Sequence, residues 1–190
     1  MTAPTTPTMT TRTDLSGDYA LDVTHTRLGF TARHAMVTKV RGSFPDFEGT
    51  AQLDFADPTK SSATVTFQIA SISTGQAQRD DHLRTNDFFD APTYPTGTFV
   101  STSVTKKGED TFEMVGDLTL KGITKPVTIT WEYTGSATDP YNNVRVGFEG
   151  RATISRKDWG IEYNAVLETG GVLISDKINL EFDVSAVKAS

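Results

Sequence analysis

The sequence predicts an all-β protein whose strands pair antiparallel. Apolar and polar residues alternate with period two in successive runs, which gives each predicted strand one apolar face. Breaks too short for a helical crossover join most runs, such as the turns at Asp57-Pro58 and Asp139-Pro140. Short connections require neighbouring strands to run in opposite directions. The composition agrees, because Thr, Val, Ile and Phe are frequent, which favours strands over helices.

About eight strands are predicted from the alternation. They lie at 27–36, 45–55, 63–69, 97–102, 112–120, 127–133, 144–154 and 178–184. One apolar face per strand must be covered, and a sandwich or a closed barrel covers it, although only closure removes the edge strands. Small residues at predicted inward positions, such as Gly97, Gly116 and Gly150, favour a barrel with an internal cavity. Curved strands also need glycine, so both explanations of these residues stay open.

The segment Ser73–Pro95, called the charged insert below, breaks the alternation between two predicted strands. Within it, Arg79–Phe89 contains neither Gly nor Pro and is predicted to form one short helix. Asp80 suits the positive end of the helix dipole, and Arg84 follows four residues later. In a barrel, the helix would place Leu83 and a phenylalanine at the mouth as a plug or rim.

Two hypotheses remain for Arg79 and Asp80 of this insert. They could form a local salt bridge that fixes the start of the helix. Alternatively, Arg79 at the mouth of a cavity could contact a phosphate or a carbonyl of a ligand.

Composition and charge exclude several classes of protein. The 190 residues suit one domain at 14–190, preceded by a disordered tail at 1–13 that is rich in Thr and Pro. A formal charge of -6 argues against nucleic-acid binding, and the absence of cysteine excludes thiol catalysis and Cys-ligated zinc. No apolar run approaches the roughly 18 residues that span a bilayer. The first residues lack the pattern of a secretory signal, so a cytoplasmic location is expected.

Signatures of catalysis are missing from the sequence. It contains no Gly-rich phosphate loop, no G-x-S-x-G elbow and no H-E-x-x-H zinc pattern. The three histidines, His25, His34 and His82, have no local ligand spacing, so neither a metal nor a catalytic residue is predicted. His34 falls on an apolar face, where it is either a hydrogen-bonded interior histidine or a polar group that lines a cavity.

Several segments carry, in their order and spacing, a resemblance to a known family. They are Asp22–Thr26 with Leu28–Phe30 and His34, Arg41–Phe44, Ser71–Thr74, Arg79–Arg84, Asp87–Asp90, Tyr94-Pro95, Gly116–Val127 and Ile154–Gly160. From about Asp18 to Val187 the chain resembles the YceI-like family.

The resemblance implies an extended lipocalin-like antiparallel β-barrel of about eight strands with a short helical insert. Members of this family are polyisoprenoid-binding proteins, in which a long apolar chain lies in the barrel with its polar head near the opening. The implied ligand is a polyprenyl phosphate, an isoprenoid quinone or a similar amphiphile, which is carried or stored without catalysis. The resemblance implies no cofactor other than such a lipid. Homodimers occur among its members, and many relatives are periplasmic.

The candidate ligand-binding residues are inward-facing side chains of the strands and polar or aromatic residues at the predicted mouth. They are His25, Phe30, His34, Phe67, Ile69, Arg79, His82, Leu83, Phe88, Phe89, Phe99, Met114, Leu118, Trp131, Phe148, Ile154 and Phe182. Two alternatives to lipid binding remain. One is a metal- or His-dependent enzyme built on the three histidines, and the other is a packed stress-response scaffold without a ligand.

Overall fold

The structure is a computed structural model that describes residues 12–168 and 170–190. Most of the predicted tail at 1–13 lies outside the described residues. Its last two residues belong to a short 3-10 helix, Arg12–Leu15.

Ten strands form a single sheet in the described part of the chain. They are β1 (Gly17–Leu21), β2 (Arg27–His34), β3 (Thr38–Ser43), β4 (Phe47–Leu53), β5 (Ser62–Gln68), β6 (Thr96–Lys106), β7 (Thr111–Leu120), β8 (Ile123–Thr138), β9 (Val144–Ser155) and β10 (Lys177–Lys188). One α-helix, α1 (Ala77–Leu83), lies in the charged insert, and short 3-10 turns occur at Pro58–Lys60, Ile69–Ser71 and Arg156–Trp159.

The sheet closes on itself as an antiparallel barrel. The strand order is β1-β4-β5-β6-β7-β8-β9-β10, and β10 returns to β1 through pairs such as Leu21 with Ala186. The first part of β10 pairs instead with β2, and β3 follows β2 as the second strand of a hairpin. Eight strands therefore form the ring. The prediction of an antiparallel barrel of about eight strands is confirmed.

The β2–β3 hairpin corrects one predicted strand. The alternation predicts a single strand to Met36, but β2 ends at His34. Ala35 and Met36 have φ angles of 52° and 59°, in the left-handed region, and the Val37 N–H donates to the His34 carbonyl at 3.0 Å. These residues therefore form a turn, and the chain returns as β3, a strand that the sequence analysis does not predict. The five-residue β1 is also not predicted.

The helix in the charged insert is shorter than predicted. It begins at Ala77 and ends at Leu83, whereas Arg79–Phe89 was expected. After Leu83 the Thr85 hydroxyl donates to the His82 carbonyl at 2.6 Å, and the chain continues in turns. Phe88 and Phe89 lie in these turns. No helix in the described residues is long and apolar enough to cross a membrane.

Two hydrophobic clusters occupy opposite ends of the barrel. The larger one lies at the end that holds the β7–β8 turn and includes Phe67, Ile69, Leu118 and Trp159. The smaller one lies at the end that holds the β8–β9 turn; its buried members are Leu15, Tyr19, Tyr133, Val146 and Ala186. The short N-terminal helix contributes Leu15 and so closes this second end.

Candidate functional site

A cavity of about 570 Å³ lies between the two clusters and runs through the interior of the barrel. Inward-facing side chains of the strands line it, such as Ala63, Val65 and Phe67 on β5. Its wall is mostly apolar, and several of its polar side chains, among them Arg79 and His82, lie at the end covered by the charged insert. We call that end the mouth. The volume is within the range of about 300–1,000 Å³ that is usual for small-molecule sites.

Glycines in the wall keep the interior open. A Cβ atom at Gly97 would lie 2.2 Å from the Phe67 ring, and one at Gly116 would lie 2.2 Å from the Phe99 ring. Each ring therefore lies flat against the neighbouring strand, in space that only glycine leaves free. The small residues that favoured a cavity in the sequence thus keep it open indirectly. They leave room for the rings of large aromatic residues to lie along the wall.

The charged insert is fixed over the mouth by Thr74. The Asp80 carboxylate accepts a hydrogen bond from the Thr74 backbone N–H at 2.9 Å and another from its hydroxyl. Arg79 donates from Nε to the Thr74 hydroxyl and from Nη2 to the Thr74 carbonyl, both at 2.7 Å. Arg79 and Asp80 thus fix the same threonine, without a direct ion pair between them in the described residues. Arg79 also lines the cavity.

Arg84 connects the insert to the turn that follows β5. Its Nε donates to the Ala70 carbonyl at 2.7 Å, and its Nη2 donates to the Ile72 carbonyl at 3.2 Å. Its ion-pair partner is Asp81, at 2.9 Å, and not Asp80 as the spacing of four residues suggested. The reason is that Asp80 is turned toward Thr74.

An aromatic group surrounds His82 at the mouth. The His82 ring makes T-shaped contacts with the rings of Phe88 and Tyr163, with centroid distances of 5.0 Å each. Its Nε2 atom lies 2.8 Å from a carboxylate oxygen of Asp87. Phe88 is buried, whereas His82 is partly exposed. This group joins the charged insert to the loop that carries Tyr163.

Arg156 fixes the loop that carries Tyr163 from the other side of the mouth. Its side chain is only 5% exposed, and it donates from Nε to the Ser175 carbonyl at 3.0 Å. Nη1 donates to the carbonyls of Ile161 and Tyr163, both at 2.8 Å. Burial lowers the pKa of the guanidinium, and Asp176, 3.6 Å from Nη2, opposes this effect. Arg156 lines the cavity, while its Nε and Nη1 groups donate hydrogen bonds to backbone carbonyls of the surrounding loop.

The opposite end of the barrel is sealed around Tyr19. This side chain is 2% exposed, and its hydroxyl donates to the Leu15 carbonyl at 2.6 Å. Burial raises the pKa of Tyr19 to about 12. Tyr133 and Val146 belong to the same buried cluster, so this end of the barrel is closely packed, whereas polar and aromatic side chains form the rim of the mouth.

The predicted ligand-binding residues lie along this cavity with two exceptions. His25 is on the exposed loop between β1 and β2, where its Nδ1 atom lies 2.7 Å from Asp22. Ile69 is 1% exposed inside the core, because β5 ends at Gln68 and the alternation stops there. All the others line the cavity, among them His34, which is exposed at the end of β2 and is not an interior histidine. Their contact with a ligand stays a prediction.

Sequence reasoning missed the part of the wall that comes from loops. Phe44, Ile161, Tyr163, Leu173 and Ile174 line the cavity but lie outside the predicted strands. Alternation identifies inward residues only on strands, and these loops have no such period. The Arg156–Trp159 turn falls between the predicted strands at 144–154 and 178–184, and the burial of Arg156 and Trp159 was not predicted.

The histidines do not form a metal centre in the described residues. They belong to a loop, a strand end and a helix, and no group of three or more His, Cys, Asp or Glu side chains in the described part of the chain is placed to hold a metal ion. Asp22 instead anchors a surface network. The Thr24 hydroxyl, His25 and Arg145 bond to its carboxylate and hold the pKa of Asp22 well below its usual range.

The fold and the cavity define a β-barrel protein with an enclosed apolar interior, reached through a mouth of loops. Comparison with protein families gives a match to the YceI-like domain over residues 19–186. The chain therefore belongs to the YceI-like family.

Similar proteins agree with this assignment. A UPF0312 protein of Ectopseudomonas mendocina is 41% identical over 149 residues, which cover 77% of this chain and 78% of that relative. The crystal structure of the YCEI protein of Campylobacter jejuni superposes with a TM-score of 0.72 at 30% identity, over 83% of this chain and 90% of that chain. A polyisoprenoid binding domain of Saccharophagus degradans has a TM-score of 0.67 at 17% identity, over 90% of this chain and 98% of that chain, and shows the same fold.

Proposed function

We propose that this protein binds a long-chain isoprenoid lipid inside the barrel and carries or stores it. The observation that carries the proposal is the apolar cavity of about 570 Å³ along the barrel interior. Family membership supports it, and so does the likeness in fold to a domain described as polyisoprenoid binding. The apolar chain would lie among residues such as Phe67, Phe99 and Leu118.

The hydrophobic effect supplies enough free energy for this role. Burial of one methylene contributes about 0.8 kcal/mol, so one five-carbon isoprene unit contributes about 4 kcal/mol. Association costs roughly 4–15 kcal/mol, which several buried units offset. Specificity would then come chiefly from the length and width of the cavity. No covalent chemistry is required.

Binding explains the polar residues of the mouth better than catalysis does. Arg79, Arg84 and Arg156 direct hydrogen bonds to backbone carbonyls of the loops around the mouth. His82 is engaged by Asp87. These bonds give the residues a role in holding the loops over the cavity, which a carrier needs.

Native mass spectrometry of the purified protein tests the proposal. We expect a fraction of the molecules to carry an added mass that lipid extraction identifies as isoprenoid. Delipidated protein should regain such a mass when a polyprenol is added. If neither the purified protein nor the protein mixed with polyprenols carries lipid, the proposal is wrong.

A further inference from the structure

Exposed apolar side chains are concentrated beside the mouth of the barrel. Met36 and Val37, at the tip of the β2–β3 hairpin, are 60% and 75% exposed, and Val166, in the loop before β10, is 85% exposed. Val172 of the same loop is exposed as well. None of these four described residues lines the cavity. A contiguous exposed apolar patch marks a site of interaction with a protein or a membrane.

Backbone hydrogen bonds hold these residues side by side. The Ala35 N–H donates to the Leu173 carbonyl at 2.7 Å, and the Leu173 N–H donates to the Ala165 carbonyl at 2.9 Å. Three antiparallel chain segments are thus joined in one row, in which neighbours are about 4.8 Å apart. In each segment the next residue toward the hairpin tip is apolar and exposed, and these three residues are Met36, Val172 and Val166.

The patch borders the mouth of the cavity. His34, beside the hairpin tip, pairs with Ile174, and both residues line the cavity together with Leu173. A free isoprenoid lipid stays in a membrane, because its apolar chain is unfavourable in water. A protein that carries such a lipid therefore has to meet a membrane at the mouth, where the patch lies.

The β2–β3 hairpin is basic, although the whole chain has a formal charge of -6. β2 and β3 contain no Asp or Glu, and Arg33 lies directly opposite Lys39. Both side chains are exposed, and neither has an ion-pair partner in the described residues. Like charges directly opposite each other on neighbouring strands repel. An anionic surface beside the hairpin would offset this repulsion.

The cations lie close enough to the hairpin tip to act on a surface that the tip contacts. Lys39 follows Val37 by two residues, which is about 7 Å along a strand. This distance is within the Debye length of about 8 Å at physiological ionic strength. Acidic residues compete little, because Asp81 and Asp87 of the charged insert already have basic partners, and Glu168 is the one acid between Tyr163 and Ile174.

A second copy of the chain fits the patch less well than a membrane does. In a symmetric dimer through the patch, the two hairpins would bring Arg33 and Lys39 of both copies together, and like charges across an interface are unfavourable. Lys39 also lies on the edge strand β3, where a lysine discourages pairing with another chain. An anionic bilayer instead offers an apolar interior for the exposed side chains and negative head groups for the cations.

We propose that this patch docks the mouth of the barrel on an anionic lipid bilayer. The docking surface consists of Met36, Val37, Val166 and Val172 with the cations Arg33 and Lys39. Its apolar side chains enter the interfacial region, and its cations contact phosphate head groups. The mouth then faces the membrane from which the isoprenoid is taken or to which it is delivered. The inference rests on the proposed function, but the docking is measured without a bound isoprenoid.

Vesicle flotation with the full chain tests the docking. One set of vesicles contains equal parts of phosphatidylcholine and phosphatidylglycerol, and the other contains phosphatidylcholine alone. We expect wild-type protein to bind the anionic vesicles about tenfold more tightly, because each cation near an anionic surface contributes about fivefold in affinity. Equal binding to both vesicles, or no binding to either, would overturn the inference.

Substitutions in the apolar tip should weaken the docking. Met36→Asn combined with Val37→Ser should lower the affinity for the anionic vesicles about tenfold, because it removes apolar area that the bilayer would bury. Asparagine also tolerates the φ of 59° at Met36. The matched control is Tyr141→Ser, since Tyr141 is an exposed apolar residue in the β8–β9 turn at the opposite end of the barrel. An equal loss in the control would overturn the inference.

Lys39→Gln should lower the affinity for the anionic vesicles about fivefold and leave the binding to phosphatidylcholine alone unchanged. Lys106→Gln makes the same change of charge at the end of β6 that is distant from the mouth, where the lysine is also exposed. Its effect should stay within about twofold. If both substitutions weaken binding equally, the net charge of the chain and not the docking surface controls it, and the inference is wrong.

A fluorescent label reports the orientation of the docked protein. The chain contains no cysteine, so Val37→Cys and Tyr141→Cys each provide one site for an NBD label. Anionic vesicles should shift the emission of the label at position 37 to shorter wavelength and leave the label at position 141 unchanged. Equal shifts would overturn the inference. A shift at position 37 that grows with protein concentration without vesicles would identify a second copy as the occupant and overturn it too.

Native mass spectrometry with added polyprenol separates this inference from the proposed function. The variant with Met36→Asn and Val37→Ser should still take up polyprenol, because neither residue lines the cavity. Wild-type protein that takes up polyprenol but floats with neither type of vesicle would overturn the docking alone. Wild-type protein that takes up no polyprenol would refute the proposed function, whatever its binding to vesicles.

Discussion

Asp80 accepts a hydrogen bond from the backbone N–H of Thr74 at 2.9 Å, with a side chain that is 7% exposed. This bond joins Thr74, near the start of the charged insert, to helix α1 at the mouth of the barrel. Arg79 binds the same threonine from the other side. The charges of this segment therefore serve first to hold the loop, and the apolar side chains that it carries, such as Leu83, are placed by these bonds.

Asp80→Ala should lower the free energy of unfolding by about 1–3 kcal/mol, because it leaves the partly buried Thr74 donors without the carboxylate that accepts from them. Urea denaturation measures the loss. Asp81→Ala is the control, since its carboxylate is 77% exposed and its bond to Arg84 is a surface ion pair. That variant should lose less than about 1 kcal/mol. Equal losses in the two variants would contradict the role given to Asp80.

Leu83→Asp should weaken the retention of lipid, because it places a charge in the wall of the cavity at its mouth. The barrel should stay folded, since Leu83 lies in the insert and outside the strands. Co-purified lipid, quantified by mass spectrometry, checks this. Gln78→Asp is the control, because Gln78 is exposed on the same helix and lies outside the cavity wall.

Phe88→Asp should weaken lipid retention as well, and it should also lower stability because Phe88 is buried against His82 and Tyr163. Thermal unfolding separates the two effects, since Leu83→Asp should lower the melting temperature less. If Leu83→Asp and Phe88→Asp both retain lipid at the wild-type level, the insert has no part in closing the cavity.

Gly116→Ala should destabilise the barrel by about 1–3 kcal/mol, the usual effect of overpacking. The added methyl group would lie 2.2 Å from the Phe99 ring, which would have to leave the wall and enter the cavity. Lipid affinity should therefore fall together with stability. In Gly108→Ala, the new Cβ would lie 3.6 Å from Thr111, an ordinary contact, and stability should stay within about 0.5 kcal/mol of wild type. Similar effects of both substitutions would disprove the explanation given for Gly116.

Acid should remove a contribution that Asp139 makes to stability. Backbone and side-chain hydrogen bonds from Asn143, with one from Arg145, lower the pKa of Asp139 from 3.8 to about 2. Since the folded pKa lies below the unfolded one, the contribution is fully present above about pH 5 and is lost as the pH falls toward 2. The difference in unfolding free energy between wild type and Asp139→Asn should thus be constant above about pH 5 and shrink below it. A difference that does not change with pH would contradict the lowered pKa.

The strands and their inward faces could be predicted because alternation is a local property. Phe67, Phe99 and Leu118 were assigned to the interior in this way, and they line the cavity. The predicted strand boundary was wrong where the alternation of apolar and polar residues stops at a turn that contains no typical turn residue. Ala35 and Met36 form a turn in the left-handed region, although neither is the glycine or asparagine that usually marks one.

The mouth of the cavity could be predicted only in part, because distant segments build it. The charged insert was recognised from its composition, whereas the loop that carries Tyr163 and Leu173 gave no signal. Arg156 holds this loop through carbonyls five to nineteen residues further along the chain. Such contacts depend on the closed barrel, which brings the segments together, and not on any local pattern.

Photoaffinity labelling tests most directly whether the lipid chain lies inside the barrel. A polyprenol with a diazirine in its chain would be bound, irradiated and mapped by peptide mass spectrometry, with excess unlabelled polyprenol as the competitor. We predict competable labelling of inward-facing residues such as Phe67, Leu118 and Phe182, which line the cavity. Labelling confined to outward-facing residues such as Thr128 and Glu132, or labelling that the competitor does not reduce, would contradict the account.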